Sequence, residues 1–74
     1  MYNLYKYEEI DGITVKTFIA SADNVLYKDT LALACLVDVE QNYYNIPVIQ
    51  KDYGFFVHGG DYDVTVYYMI RKEL

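Results

Sequence analysis

Two alternating apolar runs, Tyr2–Ile10 and Ile13–Ala20, flank the dipeptide Asp11-Gly12. Both are rich in tyrosine, isoleucine, valine and threonine, and Asp-Gly between such runs is a strong signal for a two-residue β-hairpin turn. Pairing Ile10 with Ile13 sets Glu8 against Val15, Lys6 against Thr17 and Leu4 against Ile19. On the opposite face Glu9 meets Thr14, Tyr7 meets Lys16 and Tyr5 meets Phe18. One face of the hairpin is therefore aliphatic (Leu4, Ile10, Ile13, Val15, Ile19) and the other aromatic (Tyr5, Tyr7, Phe18).

Ser21 through Lys28 reads as a connection, with Ser21 or Asp23 suited to cap a helical turn. Thr30–Glu40 alternates strictly. Leu31, Leu33, Cys35, Val37 and Val39 fall on one side, with Ala32, Ala34, Leu36, Asp38 and Glu40 on the other. Period two fits this run better than period 3.6, which predicts a strand. Its leucines and alanines also favour helix, and residues 23–37 would make one helix of about four turns.

Gln41-Asn42 is a turn signal leading into Tyr43–Gln50, where Pro47 lacks a backbone donor and so marks an edge strand or bulge. Tyr53–His58 reads as a short strand that Gly59-Gly60 turns into Tyr62–Arg71. In that last run Val64, Val66, Tyr68 and Ile70 share one face, while Asp63, Thr65, Tyr67, Met69 and Arg71 share the other. Three consecutive hairpins predict a mainly β fold, an antiparallel sheet of about six strands curled into a barrel or sandwich. With residues 23–37 helical, the prediction becomes an α+β fold, one helix packed on a five-stranded antiparallel sheet.

Length and composition then narrow the function. Residues 1–74 hold one domain, small enough that a partner or oligomer would help to stabilise it. Ten tyrosines in 74 residues are more large amphipathic rings than such a core can hide, so several should face outward. Tyr44 and Tyr68 share faces with isoleucine and valine and are core candidates. Eleven Asp and Glu against six Lys and Arg give a net charge of −5, which argues against direct nucleic-acid or anionic-membrane binding. The single Cys35 forms no internal disulfide, and no apolar run reaches the roughly 18 residues of a membrane span. With no signal-peptide layout at Met1, these features lead us to expect a cytoplasmic protein.

Catalytic parts are sparse. Ser21 is the only serine and His58 the only histidine, and Cys35 sits among Leu, Ala and Val with no basic neighbour in sequence, the setting of an inert thiol. The segment His58-Gly59-Gly60-Asp61-Tyr62-Asp63 has groups that could hold a divalent metal or form an acid pair, but it reads better as a hairpin turn. We therefore expect no enzyme and no cofactor. A pattern of tyrosine beside carboxylate recurs at Tyr7-Glu8-Glu9, Tyr27-Lys28-Asp29, Asp52-Tyr53 and Asp61-Tyr62-Asp63. Rings supply contact area and carboxylates seek Arg and Lys on another protein. The expected function is a non-enzymatic, acidic, tyrosine-rich protein-binding module, in its sharpest form an inhibitor docking on a basic surface or nucleic-acid-binding groove. The expected partner-binding residues are Tyr5, Tyr7, Glu8, Glu9, Asp61, Tyr62, Asp63 and Tyr67. Two alternatives stand beside it: a structural homo-oligomer burying Tyr5, Tyr7, Phe18 and the Pro47 edge, and a small-molecule or metal binder centred on His58 and Asp61.

Overall fold

The computed structural model describes residues 1–43, 48–51, 54–58 and 64–73. Their elements run β1 (Tyr2–Ile10), β2 (Ile13–Ala22), α1 (Tyr27–Asn42), β3 (Val48–Lys51), β4 (Gly54–His58) and β5 (Val64–Lys72). The fold is mixed α+β. An antiparallel sheet of strand order β2-β1-β5-β4-β3 carries one helix and does not close into a barrel. The expected six-strand barrel or sandwich is thus corrected, because residues 30–40 form helix rather than strand.

The first hairpin forms as its sequence predicts. Ile10 pairs with Ile13, Glu8 with Val15, Lys6 with Thr17 and Tyr5 with Phe18. Asp11 at φ 52° and Gly12 at φ 81° supply the two left-handed residues that a tight hairpin turn needs. One irregularity between Leu4 and Tyr5 shifts the upper register, so Leu4 faces Ala20 instead of Ile19. An extra residue in one strand is a β-bulge, which bends the strand and raises its twist.

The helix is longer than residues 23–37 and starts later. Ser21 and Ala22 stay in β2, so Ser21 caps nothing, and neither does Asp23. Leu26 occupies the N-cap without a side-chain bond, while Asn24 organises the entry, its Oδ1 accepting from the Leu26 N–H at 3.0 Å. Gln41 and Asn42 are helical rather than a turn. Helix wins over the period-two pattern because it buries Leu31, Cys35 and Val39, four residues apart, on one stripe. Alternate members of the expected strand face then point outward: Leu33 is 63% exposed and Val37 44%.

The core lies between α1 and one face of the sheet and comprises Leu4, Leu31, Cys35, Val39, Val66 and Tyr68. Tyr68 is buried as expected, whereas Tyr44 lies outside the described residues. At one end Tyr27 stacks on Tyr2, with ring centroids 3.6 Å apart and planes within 5°. β1 is an interior strand, paired on one side with β2 and on the other with β5. That adjacency makes the first and last strands neighbours in space.

Candidate functional site

With the helix on one side of the sheet, the period of two along β1 sends Tyr5 and Tyr7 to the other. Tyr7 pairs directly with Tyr67 across the β1–β5 ladder. Their rings stack with centroids 5.0 Å apart and an interplanar angle of 12°. Next to them Tyr5 meets Phe18 edge-on at 6.0 Å, and the Lys16 Nζ sits 4.2 Å from the Tyr5 ring centroid. The Arg71 Nη1 donates to the Tyr7 hydroxyl at 3.5 Å, and the Asn3 Nδ2 to the Tyr5 hydroxyl at the same distance. Among the described residues no element packs over this face, and Phe18 is 56% exposed. The result is an uncovered aromatic platform spanning three strands.

Its charge is balanced. Lys16 and Arg71 offset Glu9 and Glu73, and the Glu73 carboxylate, beside the Tyr5 hydroxyl, raises the phenol above its ordinary range, with desolvation adding to the effect. The other exposed acids described, Asp11, Asp23, Asp29 and Glu40, lie in turns or on the helix. Of the carboxylates beside Tyr7 in sequence, Glu9 shares its face, whereas Glu8 separates from it across the sheet.

Glu8 points to the helix side, where its Oε1 is 3.9 Å from the Lys6 Nζ and its Oε2 accepts a hydrogen bond from the Tyr43 hydroxyl at 3.1 Å. Lys6, only 7% exposed, reaches the Asp38 Oδ2 at 3.0 Å. The same oxygen accepts from the Tyr68 hydroxyl, and Asp38 Oδ1 accepts from the Asn42 Nδ2 at 3.1 Å. Burial, reinforced by Asp38, pushes the Tyr68 phenol far above its ordinary range; burial and Glu8 do the same for Tyr43. Both phenols are thus held as proton donors to these carboxylates. Burial also pushes the Cys35 thiol up to about 12, with Asp38 adding to it, so the sulfur is a thiol at neutral pH. This cluster ties helix to sheet, and its donors and acceptors are spent on one another.

Of the eight expected partner-binding residues, Tyr5, Tyr7, Glu9 and Tyr67 come together on the open face. Glu8 is turned away into the helix–sheet clamp. Asp61, Tyr62 and Asp63 lie outside the described residues, as does the turn of the metal reading, and the same holds for Pro47 of the oligomer reading. The described residues contain no group of three or more His, Cys, Asp or Glu placed to hold a metal, and none of their helices is long and apolar enough to cross a membrane. Lys16, Met69 and Arg71 complete the open face without having been singled out. The hairpin register already set Lys16 beside Tyr7 and Phe18 beside Tyr5, and was the signal that could have found two of the neighbours. No family model, curated protein or solved structure matches this chain.

Proposed function

We propose that the chain is a non-enzymatic protein-binding module whose contact surface is the open aromatic face of β2, β1 and β5. The observation that carries this reading is the platform of Tyr5, Tyr7, Tyr67 and Phe18, which no described element covers. Tyrosines held by stacking and by Lys16 and Arg71 are already ordered, so little rotamer entropy is lost on docking. The charge of −5 favours a basic partner and speeds encounter with it, while the rings provide contact area. Occupying such a partner's basic surface blocks whatever else binds there, which is the inhibitor form of the proposal.

Affinity capture from the native cell with three baits tests it. The wild-type chain should retain a defined protein that a Tyr5→Ser/Tyr67→Ser bait loses by about tenfold or more, while a Glu40→Gln bait retains it. Association should slow as salt rises. Retention of nothing, or equal retention by all three baits, overturns the assignment.

A further inference from the structure

We propose that β2 and the adjoining flank of α1 form a self-complementary interface, and that the chain pairs through them with a second copy of itself. β2 ends the strand order, so among the described residues its outer edge has no partner strand. On the helix side of that edge Ile13 and Val15 are 67% and 47% exposed, and β1 beside them carries Ile10 at 44%. An open groove of about 430 Å³ runs between β2 and the helix, walled by Ile19, Leu33, Ala34 and Val37 with Asp38 at its margin. Lys16 is the only charge on β2, and it lies over the Tyr5 ring on the opposite face. The edge therefore lacks an inward-pointing charge or proline, two of the devices that keep edge strands apart.

Area and charge both select a second copy as the occupant. A folded monomer of 8.7 kDa exposes about 4,700 Å² by surface scaling, whereas this chain exposes 5380 Å². The excess, roughly 650 Å², approaches the ~800 Å² per partner of a standard interface. The patch is neutral on a chain of net charge −5, so a copy meets no repulsion at the contact itself. Antiparallel pairing about a dyad normal to the sheet keeps both helices on one side and leaves two registers near the middle of Ile13–Phe18, the regular stretch of β2 between the turn and the bulge. One sets Lys16 against Lys16, which like charges disfavour. The other sets Val15 against Val15, Ile13 against Thr17 of the second copy and Lys16 against Thr14. The second register then places the Leu33 and Val37 flanks of the two helices on either side of a shared apolar floor. Ile13, Val15, Leu33 and Val37, which carry the apolar contact, lie off the aromatic platform, so this pairing is tested apart from the proposed function; Lys16 alone touches both.

Sedimentation equilibrium of the intact chain, with oxidative cross-linking of a Val15→Cys variant, tests the pairing. The expected result is a concentration-dependent species of twice the 8.7 kDa mass. Leu33→Asp/Val37→Asp should weaken it by about 100-fold or more, because two carboxylates per copy lose water on pairing. Both positions are exposed, so far-UV circular dichroism should be unchanged. Val15→Cys should form an intermolecular disulfide readily, since directly opposed antiparallel residues fall within disulfide reach. Val25→Cys, 93% exposed and away from the patch, should not, and the fully buried Cys35 does not compete. A chain that stays monomeric to about 1 mM overturns the proposal and leaves the edge to a strand of another protein. A dimer that withstands the double aspartate variant, or that cross-links no better at Val15→Cys than at Val25→Cys, overturns it as well.

Discussion

The Lys6 ammonium on β1 lies 3.0 Å from the Asp38 carboxylate on α1, across 32 residues of sequence. Both side chains are largely removed from water, at 9% and 17% exposure. An ion pair in such a place is costly to break from one side, because the abandoned charge stays buried. Lys6→Met and Asp38→Leu should each destabilise the fold by about 3 kcal/mol, while the double variant should recover most of the loss. Urea unfolding midpoints of the four proteins measure the coupling. Additive losses would show that the pair contributes nothing beyond its two side chains.

Alkaline stability should be governed in part by Cys35. Its folded-state pKa is raised to about 12 from an ordinary 9.0 by burial, so above pH 9 the unfolded chain releases this proton more readily than the folded one. Stability from this group is fully present below pH 9 and declines as pH rises toward 12, at no more than about 1.4 kcal/mol per pH unit. Tyr68 and Tyr43, also raised, steepen the decline above pH 10. Cys35→Ala should lower stability at pH 7 through the lost packing, yet flatten the slope between pH 9 and 10. Denaturant titrations at fixed pH values read both effects.

At the first hairpin, Gly12 has φ 81° and open space where a Cβ would stand. Gly12→Ala should therefore cost about 1 kcal/mol through backbone conformation alone, with no steric clash to relieve. Asp11, at φ 52°, accepts a more favourable residue: Asp11→Asn should raise the midpoint slightly, since Asn-Gly is the preferred pair for this turn. Thermal unfolding of the two variants should shift in opposite directions.

The Tyr7–Tyr67 stack should be worth about 1 kcal/mol beyond the area it buries. A double-mutant cycle with Tyr7→Ala and Tyr67→Ala measures that coupling in the isolated chain. No coupling would mean that the two rings merely share an exposed face.

The first hairpin was legible because its information is local: Asp11-Gly12 fixes the turn, and a turn of two residues sets the register of everything paired through it. The register held for six residues of β2 counted from the turn, as far as Phe18, and the bulge that moves Leu4 from Ile19 to Ala20 left no mark in the alternation. Residues 30–40 misled because Leu31, Leu33, Cys35, Val37 and Val39 satisfy period two, while Leu31, Cys35 and Val39 also satisfy the helical period. Choosing between them depends on what covers Leu4, Val66 and Tyr68, which no local pattern states. Glu8 and Tyr7 make the same point for the site: adjacent in sequence, they face opposite sides of the sheet, one in the clamp with Lys6 and Tyr43 and one on the open platform.

The amino-acid order by itself determined the Asp11-Gly12 hairpin, its two unlike faces, the burial of Tyr68 and the excess of aromatic surface. Each follows from spacing along a strand or from counting residues against the volume of a small core. Tertiary structure alone decided that α1 packs on the Leu4 and Ile19 end of the aliphatic face, that β5 lies beside β1 so that Tyr67 meets Tyr7, and that Glu8 is spent internally. Those outcomes rest on contacts between residues distant in sequence, where burial of the shared core of Leu4, Leu31, Cys35, Val39, Val66 and Tyr68 outweighs any single segment's preference.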